Sequence, residues 1–489
     1  MPDTTYPVVD LFAAETGAVL AWTQYLVGER LAALLPVVVD RLEREVRGRV
    51  LGPYREIDDW WWLGKTHGGM VNNWNPWIHS NILAANLLLE RDQATRNAVV
   101  VRAIEGIDRF MAGYHSDGGC DEGTSYWGHA GGSLFDCLDL IASASDGRLD
   151  AFGVPLVREI GRYIYRAHIA DNWYVNFADG AARVAINAPL VYGYGRRIGD
   201  RALMAQGAAA TRIETRGEWR GGEFERILRA LHAPVPEAER GCGDAAGARG
   251  VARRHSGADG AGAGGGGDGA VFLAAKGGHN AESHNHNDIG SFIVALDGRP
   301  VVIDVGVGVY TRQTFSADRY SIWTMQSGYH NLPVINGYEQ RDGREFAARE
   351  VVATLGEDAA ELELDIAWAY PREAWVYHCE RTLRLERGDT PRIVLHDAFY
   401  LAAPPTSLAL HLMLADEADV VTPGEIRCAT PTRPLIINYD PKLFTVAVER
   451  IAIDDARLAP VWGERVYRLV LTAQEGKTHG DWWVTFTAG

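Results

Sequence analysis

Residues 277–288 read Gly-Gly-His-Asn-Ala-Glu-Ser-His-Asn-His-Asn-Asp, a polar run that comes just before an apolar run beginning near Ser291. The hydrophobic pattern changes here. From about residue 271, apolar and polar residues alternate, as in Glu361-Leu-Glu-Leu-Asp-Ile, which is typical of half-buried strands. Many short strands without intervening helices predict an antiparallel β-sandwich over residues 271–489.

Before this stretch the pattern has a helical period instead. It predicts helices separated by long loops rich in glycine and aromatic residues, over residues 16–48, 80–111 with a break near Asp92, 132–146, 152–168, 185–195, 201–213 and 223–232. Paired helices with functional loops at one end indicate an incomplete (α/α) toroid over residues 1–240, although periodicity alone allows other helical arrays. The expected fold class is therefore α+β multidomain, with the Gly/Ala-rich residues 241–270 as a linker or loop.

Length and composition limit the classes of protein to consider. The 489 residues suggest two large domains, and 47% hydrophobic with 23% charged residues is typical of globular proteins. We find no secretory signal and no uninterrupted apolar run of about 18 residues. We therefore expect no membrane partner and a cytoplasmic location, or a periplasmic or secreted one if a signal has been removed. Five scattered cysteines predict no disulfide framework.

The net charge of −16 makes nucleic acid a poor candidate partner. Aromatic residues point to another ligand. They crowd into polar segments such as Trp60-Trp61-Trp62, Trp74-Asn75-Pro76-Trp77 and Trp173-Tyr174. A tryptophan face offers apolar area to the C–H face of a sugar ring. These clusters indicate a carbohydrate groove, while core packing is the plainer interpretation of any one of them.

The histidines of the polar run suggest a metal or a catalytic group. In an extended chain His284 and His286 project to the same side, where two imidazoles suit a metal, or one ligand beside one catalytic group. Asp304 ends the next predicted strand and His330 lies in a later turn, so both can come alongside.

Four segments together carry a resemblance to a known family. They are residues 68–79, 117–127, 277–288 and 310–320, the last with His330-Asn331 just beyond. In order, spacing and residue type they resemble the heparinase II/III superfamily of polysaccharide lyases over roughly residues 55–345. The family has an N-terminal α/α toroid and a C-terminal antiparallel β-sandwich. This agrees with the fold predicted above from the helical and alternating hydrophobic patterns.

The resemblance implies roles for individual residues. The catalytic tyrosine follows an Asp-Gly…Glu-Gly…Tyr pattern and corresponds to Tyr126. The catalytic histidine opens an HxHxD motif and corresponds to His284, with Asp288 completing the motif. A divalent metal, a structural zinc in some members, would be bound by His286, Asp304 and His330.

The residue that neutralises the substrate carboxylate is typically an asparagine in an Asn-Asn-His-Gly segment. Here the segment reads Asn72-Asn73-Trp74-Asn75, so the role maps to Asn73 and tryptophan replaces the usual histidine. Arginine forks match carboxylate and sulfate groups, and other polar or aromatic residues line the motifs. The expected substrate-binding residues are Asn72, Trp74, Asn75, Trp77, His79, Glu122, Trp127, Arg312 and Arg319.

The expected function is β-elimination in an acidic polysaccharide or oligosaccharide that contains uronic acid. Heparan sulfate, chondroitin, hyaluronan and alginate all present the same local chemistry. One alternative is a glycoside hydrolase that uses Asp58-Asp59 and Asp121-Glu122, since hydrolases need two carboxyl groups. The others are a non-catalytic sugar-binding protein with a degenerate site, and a hydrolase built on an open zinc.

Overall fold

The computed structural model describes residues 2–3, 5–65, 71–214, 224–232, 235, 259–262 and 270–489. The chain divides into two compact units. The helical unit comprises Met1–Gly118, Tyr126–Arg162 and Ile186–Gly243, and the β unit comprises Gly119–Ser125, Tyr163–Ala185 and Asp244–Gly489. Two short stretches from the first half of the sequence thus group with the β unit. Of the predicted linker, residues 241–258 and 263–269 lie outside the described residues, and Asp259–Gly262 form a strand.

The first half of the chain is mainly helical. Its α-helices are α1 (Leu11–Leu34), α2 (Pro36–Val46), α3 (Gly52–Glu56), α4 (Trp74–Leu89), α5 (Gln93–Gly113), α6 (Gly131–Ala144), α7 (Pro155–Arg166), α8 (Ala188–Ile198), α9 (Arg201–Glu214) and α10 (Phe224–His232). A short hairpin of β1 (His168–Ala170) and β2 (Trp173–Tyr174) follows α7.

Local chemistry sets the ends of these helices. Asp10 and Asp92 are N-caps whose carboxylates accept from the backbone N–H of Ala13 and Thr95, so the break predicted near Asp92 is confirmed. The single helix predicted over residues 16–48 is instead two helices. Pro36 begins α2, and the residue before a proline is pushed out of the helical region, which ends α1.

Helix α4 is largely buried and packs against α1, α5 and α6. Its approach to α5 depends on Gly106. A Cβ atom at that position would lie 1.9 Å from Nε2 of His79 on α4. The absence of a side chain at Gly106 therefore permits the contact between the two helices.

The β unit is built from strands in two large antiparallel sheets. The remaining elements are β3 (Asp259–Gly262), β4 (Val271–Ala275), β5 (His279–Asn280), β6 (Phe292–Leu296), β7 (Arg299–Val302), β8 (Pro333–Ile335), β9 (Gly343–Ala347), β10 (Arg349–Leu355), β11 (Ala359–Asp365), β12 (Val376–Glu386), β13 (Arg392–Leu401), β14 (Leu408–Leu414), β15 (Ala418–Thr422), β16 (Glu425–Cys428), β17 (Leu435–Tyr439), β18 (Phe444–Ala452), α11 (Ala459–Trp462), β19 (Arg465–Ala473) and β20 (His479–Ala488).

One sheet has the order β10-β11-β12-β13-β20-β17-β16-β15, and the other has the order β18-β19-β14-β7-β6-β4-β3, with β8 paired to β14. Inward-facing side chains of both sheets form one hydrophobic core, in which Phe292 and Phe486 meet edge to face with centroids 5.8 Å apart. The predicted order of a helical part and then an antiparallel β part is confirmed. The toroidal arrangement of the helices stays a prediction.

A buried ion pair lies inside this core. Arg381 on β12 is fully buried and donates to both carboxylate oxygens of Asp397 on β13. Nη1 of Arg381 donates to the backbone carbonyls of Gly290 and Asn331. The pair therefore holds two loops of the β unit against the sandwich, because a buried guanidinium requires all of these acceptors.

Cysteines 120, 137, 379 and 428 are buried free thiols. Among the helices that the structure describes, none has both the length and the apolar character needed to cross a bilayer.

The close approach at Gly106 yields a test of helix packing. Gly106→Ala should lower the free energy of unfolding by about 1–3 kcal/mol, because the new methyl group must displace His79 or move a helix. Gly113→Ala, at the end of the same helix with open space around it, is the control and should be neutral or slightly stabilising. Denaturant unfolding measures both. Equal stability of the two variants would contradict the packing described here.

Candidate functional site

The polar run 277–288 forms most of the loop between β4 and β6. His284 has a φ of +56°, so the loop is not the extended chain that the sequence analysis assumed. Both imidazoles nevertheless converge, because each contacts the carboxylate of Asp179. Nδ1 of His284 lies 2.6 Å from Oδ2 of Asp179, and Nε2 of His286 lies 3.2 Å from Oδ1.

Asp179 is fully buried and each of its oxygens accepts two hydrogen bonds. Oδ2 accepts from His284 and, at 2.9 Å, from the hydroxyl of Tyr310. Oδ1 accepts from His286 and, at 2.7 Å, from Nη2 of Arg319. Burial alone would raise the pKa of Asp179, but the hydrogen bonds from the two histidines and the charge of Arg319 outweigh it and hold that pKa far below its usual range.

His284 lies between two carboxylates. Its Nε2 is 3.3 Å from Oε2 of Glu122, while Asp179 occupies the Nδ1 side. Burial lowers the pKa of His284, but the hydrogen bond to Asp179 and the charge of Glu122 raise it more, so the net shift is upward. Its side chain is 19% exposed, which leaves the ring accessible to a ligand. Glu122 was expected to bind substrate, and the structure places it against His284.

Arg319 was also expected to bind substrate, and its contacts correct that prediction. The guanidinium is buried and donates to Asp179, to the carbonyls of His284 and Asn285, and to the carbonyl of Thr314. These acceptors take four of its five N–H donors, so Arg319 holds the loop that carries His284.

Arg312 remains exposed at the start of a 3-10 turn, where a ligand could reach it. The exposed ring of Phe315 lies edge-on to both His284 and Tyr310, with centroids 6.3 and 5.1 Å away. This aromatic pair borders the accessible side of His284.

His286, Asp304 and His330 form a compact buried set. One potential ligand atom of each lies within 4.8 Å of the others. Nδ1 of His286, Oδ2 of Asp304 and both ring nitrogens of His330 are buried without an aligned hydrogen-bond partner, although Nδ1 of His330 is 3.2 Å from Oδ2 of Asp304. Unpaired buried polar atoms are costly, and a shared ion would satisfy one such atom of each residue. The set is compatible with a divalent metal.

Asn331 explains why these three residues meet. Its amide donates to the carbonyls of Phe292 and Ile303, and its carbonyl oxygen accepts from the backbone N–H of Met413. Asn331 therefore ties the turn that carries His330 to β6, to the end of β7 and to β14. Asp304 lies two residues beyond the end of β7, close to the strand end where it was expected.

Asp288, which completes the HxHxD motif, is fully buried in an ion pair with Lys276. Burial lowers the pKa of Lys276, and the charge of Asp288 more than compensates, so the net shift is upward. The pair closes the base of the 277–288 loop, since Lys276 also exchanges backbone hydrogen bonds with Gly290 and Ser291.

In the helical unit, Tyr126 lies near His129, with ring centroids 6.5 Å apart, and His129 stacks on Trp77 at 3.9 Å. Asn73 is the N-cap residue of α4 and is 5% exposed. Asn72 accepts from the backbone N–H of Trp74, whose ring lies 4.9 Å from that of the half-exposed Trp61. Trp74, Trp77 and Tyr126 are thus at least partly accessible.

Three other candidates in this unit are buried, which corrects the expectation that they bind substrate. Asn75 donates to the carbonyl of Trp62, and Trp127 donates to the carbonyl of Ile160. His79 bonds Tyr54 through Nδ1 at 3.0 Å and faces Gly106. It therefore cannot replace the imidazole missing from the Asn-Asn-Trp-Asn segment.

Asp179 was not among the residues predicted from the sequence, and no role was predicted for Tyr310. Asp179 lies about 100 positions before His284, in an Asp-Gly pair that also fits an ordinary turn. The nearby Trp173-Tyr174 cluster marked the segment as unusual. No local pattern, however, distinguishes this carboxylate from other aspartates, because its role depends on partners that are distant in sequence.

The buried His79 makes stability depend on pH. Burial, followed by the charges of Arg109 and Arg102, lowers its pKa from 6.5 to about 3. The unfolded chain takes up this proton near pH 6.5 and the folded chain does not, so stability is lost as the pH falls from 6.5 toward 3. His79→Gln should make that loss smaller by on the order of a few kcal/mol. Urea unfolding across this range tests it, with the exposed His479→Gln as control; parallel curves for all three proteins would contradict it.

The buried set should bind metal. We expect about one divalent ion per chain after loading and dialysis, and a large loss of affinity in Asp304→Ala or His330→Ala. Elemental analysis and competition with a chromophoric chelator measure content and affinity. His411→Gln removes a part-buried histidine that instead bonds the carbonyl of Gly328, and it should bind like wild type. Unchanged affinity in the ligand variants would rule out this site.

Comparisons with known proteins identify a similar family model and similar folds. Residues 257–448 match the family model described as heparinase II/III-like, C-terminal. The fold resembles that of heparan sulfate lyase HepC from Pedobacter heparinus, with a TM-score of 0.64 at 13% identity over 87% of this chain. It also resembles a crystal structure of heparinase III, with a TM-score of 0.66 at 13% identity over 100% of this chain.

This chain spans 61% of the length of HepC and 71% of that of heparinase III. No curated protein matches it. The predicted resemblance is nevertheless confirmed: residues 257–448 match a heparinase II/III-like C-terminal domain, and the fold resembles those of the heparan sulfate lyase and heparinase III structures.

Proposed function

We propose that this protein is a polysaccharide lyase that cleaves a uronic-acid-containing polymer by β-elimination. One observation carries the proposal. A partly exposed histidine, His284, is held between Asp179 and Glu122 in the domain that matches the heparinase family. Nδ1 is anchored by Asp179 and Nε2 faces Glu122, so the partly exposed ring is held in one orientation.

The reaction breaks the C4–O bond of a uronate residue. A base removes the proton on C5, the C5–H electron pair becomes the C4=C5 double bond, and the leaving oxygen takes a proton from an acid. The C5 proton is weakly acidic while the neighbouring carboxylate keeps its full charge. Hydrogen-bond donors on that carboxylate must therefore stabilise the enolate-like transition state.

Asn73, Tyr126 and His284 are the proposed catalytic residues. The Asn73 amide donates to the substrate carboxylate without having to titrate. Tyr126 protonates the leaving oxygen, and on one C5 epimer it also serves as the base. His284 is the base for the other epimer, whose C5 proton faces the opposite way. His129 stacks on Trp77 beside Tyr126 and adds an imidazole to this part of the site.

We assign the metal a structural role, with zinc the expected ion at His286, Asp304 and His330. All three side chains are at most 1% exposed, so a polymer has no access to the ion. When bound, it supplies a cross-link between the 277–288 loop, the end of β7 and the turn at His330. The chemistry is then left to residues on the accessible side.

Heparan sulfate is the first substrate to test, because the similar solved structures are described as heparan sulfate lyase and heparinase III. Chondroitin, hyaluronan and alginate follow, since each contains the same uronate unit. The exposed Arg312 is the candidate contact for an acidic group on any of them.

The hydrolase alternative has less support. A glycosidase needs one carboxyl group that keeps its proton near neutral pH. Asp58 is bonded by Lys65 and Arg102, which lowers its pKa and opposes that role. Glu122 faces His284, so its charge is already paired.

Absorbance of the conjugated C4=C5 uronate during incubation with the four polymers tests the proposal. Wild type should generate the chromophore with at least one polymer, and Tyr126→Phe and His284→Ala should each reduce kcat by at least about 100-fold. Tyr377→Phe, which alters an exposed tyrosine on β12, should retain full activity.

New reducing ends without the chromophore would show hydrolysis and refute the lyase assignment. Binding of a polymer with no cleavage by wild type would favour the sugar-binding alternative. Loss of activity in Tyr377→Phe as well would show that the assay reports folding and not chemistry.

A further inference from the structure

The carboxylate of Asp179 bonds more than His284. Its two oxygens offer about four lone-pair positions, and four donors occupy them. Two of the donors are histidine ring nitrogens. Because the carboxylate is ionised and can only accept, each of those nitrogens must carry its hydrogen.

This requirement fixes the position of one hydrogen on each ring. His286 carries hydrogen on Nε2, and its Nδ1 is the buried atom that lacks a partner in the metal set. His284 carries hydrogen on Nδ1, and its Nε2 faces Glu122. One carboxylate thus prepares a metal ligand through Oδ1 and a catalytic ring through Oδ2.

We propose that Asp179 is a shared positioning residue that couples metal binding at His286 to the orientation of His284. Carboxylates commonly bond the far nitrogen of a metal-bound histidine and increase metal affinity. Here the same group also bonds the reactive histidine. Displacement of the carboxylate at one ring must therefore disturb the other.

The remaining partners of Asp179 support a positioning role. Arg319 approaches Oδ1 and also holds the carbonyls of His284 and Asn285, so it sets the distance between the carboxylate and the loop. Nη2 of Arg457 donates to the backbone carbonyl of Asp179 at 3.2 Å. The neighbouring Ala178 has a φ of +57°, a conformation that non-glycine residues rarely adopt, so the segment is held in place at some cost in free energy.

Asp179 lies outside the 257–448 segment that matches the family model, yet it groups with the β unit. The metal set and His284 lie within that segment. The 257–448 segment therefore depends on one residue from the earlier part of the chain both for its metal set and for its proposed catalytic histidine.

The test is Asp179→Asn in the full-length protein. The amide keeps the shape of the carboxylate but offers one acceptor oxygen and two unwanted N–H donors to four donors. Affinity for Zn²⁺, measured by competition with a chromophoric chelator, should fall about 10- to 100-fold, and kcat should fall by a similar factor with KM nearly unchanged. With Co²⁺ in place of Zn²⁺, the visible ligand-field spectrum should also change.

Asp365→Asn is the matched control. Asp365 is buried, accepts from Nδ1 of His378 and from the backbone N–H of Ala367 and Cys379, and has no role in the site. This variant should lose stability but keep wild-type Zn²⁺ affinity, Co²⁺ spectrum and kcat. If Asp179→Asn behaves in the same way, Asp179 is only structural and the proposal is wrong.

Tyr310→Phe serves if Asp179→Asn does not fold. It removes one donor from Oδ2, the oxygen that bonds His284, and leaves the Oδ1 contacts to His286 and Arg319 in place. Because one carboxylate holds both rings, the proposal expects kcat to fall about two- to tenfold and Zn²⁺ affinity to fall with it. A fall in either kcat or Zn²⁺ affinity with the other unchanged would overturn it.

The kinetic readouts rest on the proposed lyase function, and the Zn²⁺ and Co²⁺ readouts do not. Wild type that binds Zn²⁺ but forms no unsaturated product would refute the lyase assignment and leave the metal part of the coupling testable. Wild-type Zn²⁺ affinity in Asp179→Asn, together with a normal Co²⁺ spectrum, would refute the coupling even in an active lyase.

Discussion

The carboxylate of Asp179 is completely buried, and a buried charge is tolerated only when hydrogen bonds and opposite charge replace its water. Four side chains between residues 284 and 319 supply that replacement, and all of them lie far from Asp179 in sequence. Each partner is fixed in turn, because removing any one would leave an ionised oxygen short of a donor. The geometry of the 277–288 loop, the Tyr310 side chain and the Arg319 guanidinium therefore follows from one electrostatic requirement.

Buried polar contacts of the β-sandwich hold the loops around Asp179 in place. Asn331 joins β6, β7 and β14 through its single side chain, and the buried pair of Arg381 and Asp397 anchors the adjoining loops. Strand ends consequently deliver Asp304 and His330 to the same buried point as His286. The β unit thus separates two tasks: buried residues of its interior can hold a metal, and the partly exposed His284, held between Asp179 and Glu122, remains accessible.

The helical unit contributes differently. Its proposed catalytic groups lie at the start of α4 and just before α6, where aromatic rings remain accessible, while the interior of α4 is filled by buried polar groups such as Asn75 and His79. The departure from the family pattern at Trp74 is not compensated by His79, because that ring is neutral and bonded to Tyr54. Carboxylate neutralisation in the proposed reaction therefore rests on the Asn73 amide, and the tryptophans suit the apolar faces of sugar rings.

The sequence by itself determined the change from helical to alternating periodicity, and with it the order of a helical part and an antiparallel β part, because periodicity is a local property of the chain. It also gave His286, Asp304 and His330 as candidate metal ligands, through the HxH spacing and the resemblance to a known family, and the fold brings the three together. Only the tertiary structure decided which polar residues are buried, so Asn75, His79, Trp127 and Arg319 look like ligand contacts in the sequence but pack or anchor loops in the fold. Asp179 shows the physical reason: its function arises from donors brought together by folding across more than 100 residues, and no short pattern encodes such a meeting.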